Sequence, residues 1–135
     1  MKIDLNFKKN PSDVLFKLLF EVRDYECDMQ GVVNHANYLH YFEHTRHHYL
    51  ISLGKSFSAW HKEGVDLMVS NLFVNYKQSL VSGDTFTSYL YIVKKKKASI
   101  YFYQELIRQK DQLCVCDATV RCACLKQGRI SPLPF

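Results

Sequence analysis

Proline is almost missing from the body of this chain. Its three prolines are Pro11, Pro132 and Pro134, so the stretch between them lacks the residue that breaks helices and interior strands. Internal repeats, low-complexity tracts and Pro/Gly/Ser-rich linkers are absent as well. That excludes a repeat architecture, and 135 residues without a seam predict one domain spanning 1–135. Nowhere do about 18 apolar residues run together, and the opening MKIDLNFKKNPSD has neither an apolar h-region nor a small-residue cleavage site. These absences predict a soluble, cytoplasmic protein with no membrane insertion.

A metal motif is missing too. His40, His44, His47 and His48 crowd one segment, but HExxH is absent, and the C-x-C pairs Cys114/Cys116 and Cys122/Cys124 lack the turn of a zinc knuckle. No metal is predicted. With Cys27 the cysteines number five, an odd count without a secretory signal, so reduced thiols are expected. The formal net charge of +5 favours an anionic ligand or an acidic partner such as a carrier protein. Apart from Lys94 to Lys97, the basic residues are spread out and not interleaved with aromatics, so no nucleic-acid partner is expected. The lysine run falls at a hairpin turn, as a solvated tip or a hold on phosphates.

What the chain does have is pattern. Alternation from Phe16 to Arg23 predicts a strand with Phe16, Leu18, Phe20 and Val22 on one face. After Asn37 the period changes: Tyr38, Tyr41, Phe42, Thr45, Tyr49, Leu50 and Leu53 recur at helical spacing, with Asn37 as N-cap and Gly54 as C′ residue. A short helical piece around Ser58–Glu63 closes at Gly64. Strand-like segments follow at Leu67–Tyr76, Thr85–Val93, Ser99–Arg108 and Leu113–Leu125. In the last of these, Cys114, Cys116, Ala118, Val120, Cys122 and Cys124 alternate onto one face. Such small side chains let a helix about 10 Å wide come close. Order and side-chain size predict an α+β chain, an antiparallel sheet of about five strands wrapped around one long central helix.

Between the first strand and that helix lies DYECDMQGVVNHANY, Asp24 to Tyr38. It is too long for a tight turn, and long connections are often functional. Asp28 stands before the helix, whose unpaired N–H groups and dipole favour developing negative charge. Gly31 permits close backbone approach, and main-chain N–H groups around His35 to Tyr38 can polarise a carbonyl.

Glu26, Asp28, Gly31, Val32, Val33, His35 and Tyr38 fit the pattern D-x-D-x-x-G-V-V-x-H-x-x-Y, with Glu at the first acidic place. In this the chain resembles the 4-hydroxybenzoyl-CoA thioesterase family of hot-dog-fold proteins, and the likeness continues through Tyr41-Phe42-Glu43 and Ser99 to Glu105. The resemblance implies a single hot-dog domain, a homodimer or homotetramer, no metal, and no cofactor beyond the coenzyme A of the substrate. It implies hydrolysis of an acyl-CoA or acyl-carrier-protein thioester, with Asp28 as nucleophile or general base and His35 beside it. Gly31, Val32, Val33, Asn37, Tyr38 and Glu43 are expected around the substrate. Tyr89, Tyr91, Tyr101 and Tyr103 either line an acyl pocket or pack within the sheet. Two alternatives stay open: hydration or dehydration of an acyl thioester, against which Asp28 and His35 stand seven residues apart rather than five, and a non-enzymatic ligand- or RNA-binding module.

Overall fold

The computed structural model describes residues 9, 10 and 13–135. Strand β1 (Phe16–Glu21) leads into a 3-10 turn (Asp24–Glu26), helix α1 (His35–Ser52) and helix α2 (Phe57–Lys62). Strands β2 (Val65–Tyr76), β3 (Thr85–Lys95), β4 (Ser99–Arg108), β5 (Cys114–Lys126) and β6 (Arg129–Ile130) follow. All pairings are antiparallel, in the order β1-β3-β4-β5-β2, with the two-residue β6 on β5. The predicted order of one strand, one long helix and four strands holds, and β6 adds a sixth strand.

Register slips lie between Val69 and Asn71, Ile92 and Lys94, and Leu106 and Ile107. Bulges of this kind bend strands and increase their twist, and the concave face so made receives α1. Phe42 and Leu50 of the helix are buried against Phe86, Leu90, Ile100, Phe102, Leu106 and Val120. Each such side chain contributes about 1.5–3 kcal/mol on leaving water. Cys116, Ala118, Cys122 and Cys124 are buried on β5, the floor of small residues that the alternation predicts. Polar contacts then fix how α1 sits. Thr45 Oγ1 donates to Tyr41 O at 2.8 Å and meets Ser88 Oγ at 2.7 Å, and Gln104 Nε2 donates to Phe42 O at 3.1 Å. A rotated helix leaves these buried groups unpaired, so one docking is specified.

Cys114 departs from its predicted face. The slip between Leu106 and Ile107 reverses the alternation there, so fully buried Val115 turns inward and Cys114 lies beside Lys77, Asp117 and Glu105. Leu53 is exposed rather than buried, because as C-cap it lies beyond the last turn packed on the sheet. The four strand tyrosines belong to the convex face, opposite α1. Tyr91 and Tyr103 donate to Glu105 (3.2 Å) and Asp117 (3.0 Å), and Lys9 and Lys77 pair with the same carboxylates at 2.7 and 2.9 Å. Tyr89 and Tyr101 share that face by strand alternation, so none of the four lines a pocket beside the helix. Lys94 and Lys95 finish β3, and only Lys96 and Lys97 belong to the turn.

His44 packs on Phe20 (5.6 Å between ring centroids) and His48 (4.4 Å), and His47 on Phe57 (4.6 Å). Desolvation, with the charge of neighbouring cations, lowers the pKa of both His44 and His47. Their protonation is thus harder in the native than in the unfolded chain. Stability is expected to fall as pH drops through the unfolded histidine value of about 6.5, and this contribution levels off below the lowered native values. Urea midpoints at pH 8 and pH 5 check this, with H44Q/H47Q expected to flatten the fall.

Candidate active site

The connection ahead of α1 is a tied loop. Cys27 bridges Val33, Val32 bridges Val81, and the Val33 N–H donates to Leu80 O at 2.9 Å. At the tip, the Asp28 N–H donates to Val32 O (2.8 Å) and the Gly31 N–H to Asp28 O (3.0 Å). Gly31 has φ +80°, in the left-handed region that glycine enters freely. A Cβ there meets nothing within 4 Å, so the turn itself, rather than the expected close approach, calls for glycine. Asp28 Oδ1 accepts the Gln30 N–H at 2.9 Å. With its amide nitrogen toward the carboxylate, Gln30 also stands 2.9 and 3.2 Å from the two Asp28 oxygens. The carboxylate is therefore oriented and half-buried at the loop tip.

Glu26 fastens this loop to the helix. Its carbonyl accepts the Asn34 N–H at 3.0 Å and Asn37 Nδ2 at 2.8 Å, and its carboxylate accepts the Arg23 N–H at 2.8 Å. The N-cap is Asn34, not Asn37: Asn34 Oδ1 accepts the Ala36 N–H at 2.9 Å. The first turn, His35-Ala36-Asn37, buries no side chain in the core, so apolar periodicity misses it. Asn37 clamps Glu26 and meets His40 Nδ1 at 3.1 Å. Asn34→Ala is expected to cost about 1 kcal/mol, read as a lower urea midpoint with an unchanged slope.

The His35 N–H, first in the helix, has no hydrogen-bond partner among the described residues. It is an open donor at the positive end of the dipole. The His35 ring packs edge-on to Tyr76 (6.4 Å, 85°), whose hydroxyl donates to His35 O at 3.2 Å. The ring is thus engaged with Tyr76 and makes no bond to Asp28. Val33 and Tyr38 are core residues and support the loop from below. Glu43 lies eight residues beyond His35, about 12 Å along the helix axis. There it faces His47 at 3.5 Å and lines a different cavity. Asp28, Gly31 and Val32 are therefore tied to one another in the loop, Asn37 is tied to Glu26 of the same loop and His35 to Tyr76, while Glu43 stands apart. Sequence reasoning missed Asn34, Gln30 and Tyr76. An Asx residue ahead of a polar first turn is a signal for Asn34, whereas Tyr76 arrives from β2 with no local signal.

Residues 22–135 match the Thioesterase-like superfamily. The chain belongs to that superfamily. It is 33% identical over 119 residues to the acyl-CoA thioesterase YbgC of Haemophilus influenzae, with 86% of each chain covered. It is 36% identical over 98 residues to the acyl-acyl carrier protein thioesterase ATL3 of Arabidopsis thaliana, covering 73% of this chain and 52% of that protein. The solved DHNA-CoA thioesterase of Staphylococcus aureus superposes with a TM-score of 0.78 at 26% identity, over 87% of this chain and 78% of that one. This superfamily member has the hot-dog fold, a curled antiparallel sheet around one long helix. Among its described residues no cluster of three or more His, Cys, Asp or Glu can hold a metal ion, and no helix is long and apolar enough to cross a membrane.

Proposed function

We propose that this superfamily member hydrolyses an acyl-CoA or acyl-carrier-protein thioester to free acid and thiol. The observation that carries this reading is the oriented Asp28 carboxylate at the head of a helix whose first N–H, that of His35, is unpartnered. That N–H donates to the thioester oxygen, and the helix dipole stabilises the negative charge that develops there. Asp28 then attacks the carbonyl carbon to form a mixed anhydride, which water cleaves, or it takes the proton from an attacking water. On either route the C–S bond breaks and the thiolate leaves without much acid assistance. His35 acts through its backbone and Tyr76 holds its ring. Gly31, Val32 and Asn37 shape the floor. Coenzyme A enters and departs as part of the substrate.

The working form in this reading is a homodimer. The edge strand β2 has 12 residues, and its Val69, Leu72, Phe73 and Tyr76 are 41–50% exposed. A long apolar edge of this kind pairs with another strand, and an isologous β2-to-β2 contact supplies one. Thiol release from a panel of acyl-CoA and acyl-carrier-protein thioesters tests the function. Hydration of an enoyl thioester with no thiol released would transfer the site to the hydratase alternative.

A further inference from the structure

Beneath α1, on the side toward β2, lies a cavity of about 210 Å³ with Leu50, Phe57, Leu67 and Phe102 in its apolar wall and Arg46 on its helix side. At the ~30 Å³ that a water-sized group occupies, it has room for about seven non-hydrogen atoms. The guanidinium of Arg46 makes one hydrogen bond among the described residues, donating from one nitrogen to Gln104 Oε1 at 2.9 Å. It forms no ion pair among them. The Glu43 carboxylate also lines the cavity, at its rim, where it is half-exposed and turned to His47 at 3.5 Å. Desolvation lowers the Arg46 pKa against the opposing pull of the nearby Glu43 charge, as for a half-buried cation that no direct ion pair neutralises. Guanidinium carries five donors in a planar fork that matches a carboxylate. A cation in an apolar wall is costly unless it is paired.

Topology says what the cavity faces. Its exposed rim is formed by Glu43, His47, Met68 and Val69, the last two in the first half of β2. The start of α1 packs at the other end of the same strand, on Tyr76. When two β2 edges pair antiparallel about their middles, the first half of one strand lies beside the last half of the other. Each Arg46 cavity then opens toward the α1 start and the Asp28 loop of the second copy.

We propose that Arg46 selects the substrate: the acyl group held at one copy's Asp28 extends into the other copy's cavity, and the acyl groups accepted end in a carboxylate that pairs with Arg46. This rests on the thioesterase reading and names its substrate class. The test compares acyl-CoA pairs matched in length, adipoyl against hexanoyl and suberoyl against octanoyl, with the wild-type dimer, R46M and R46K. The wild type is expected to favour the carboxylate-ended member by about 10- to 100-fold in kcat/KM, mostly through KM. R46M removes the preference and R46K keeps part of it. The wild-type ratio is decisive even where a variant folds poorly. Hydrolysis of both members at equal kcat/KM by the wild type, or an equal loss on both in R46M, overturns the role of Arg46 and leaves thioester hydrolysis standing. Release of thiol from no thioester at all overturns both.

Discussion

Replacing Asp28 by Asn is expected to leave a folded protein whose kcat/KM for its thioester is lower by about 10²–10⁴-fold. The substitution is nearly isosteric, and an amide oxygen can still accept the Gln30 N–H that now orients Oδ1 at 2.9 Å. The turn through Gly31 and the Val32–Val81 bridge is made by backbone and does not depend on the carboxylate. What disappears is the charge: an amide neither attacks a carbonyl nor takes a proton from water. The His35 N–H remains, so carbonyl polarisation persists, and the loss falls on kcat rather than KM. His35→Ala keeps that N–H and is expected to cost less than about tenfold. Thiol release with urea midpoints measured alongside separates chemistry from folding. An unchanged kcat/KM in folded D28N refutes the assignment of Asp28.

The layout of the fold was legible because it is written in side-chain alternation. The helix period from Tyr38 to Leu50 and the small residues Cys116, Ala118, Cys122 and Cys124 each report one contact, that of helix with sheet. The loop motif was equally legible, since glycine at φ +80° and Asp28 beside it are local features. Three kinds of information were not. Bulges are set by the pairing of two strands, so the reversal at Cys114 leaves no mark in its own segment. Polar helix starts are invisible to apolar periodicity, which displaced the N-cap from Asn34 to Asn37. Distance along an element was also lost: Glu43 joins the motif in sequence but stands two turns from Asp28's end of the helix, beside Arg46. The tyrosines show the same limit, because alternation reveals that they share a face without revealing that the face is the convex one.

Placing lysines at Leu72 and Phe73 is expected to turn the protein into monomers and lower kcat/KM by about 100-fold. Both residues are about half-exposed, outside the Arg46 cavity, and pair with Val120 and Thr119 in the β2–β5 register. Neither contributes to the deep core, where Leu67 and Phe102 are buried, so the isolated chain retains its fold. In a dimer joined through β2 the new ammonium groups gather around the two-fold axis with no carboxylate opposite. An unpaired charge buried in an interface is strongly destabilising, by about 3–5 kcal/mol for a broken pair. The activity falls because the Asp28 loop of one copy loses the acyl cavity of the other. Misplacing a bound group by about 1 Å already costs about 100-fold. Sedimentation velocity and thiol release across a dilution series give mass and rate on one sample. Monomers at full activity would show that each chain contains a whole site, and would also remove the geometry that brings Arg46 to the substrate. Inactive monomers whose activity returns at concentrations that restore the dimer place the two halves of the site on different copies.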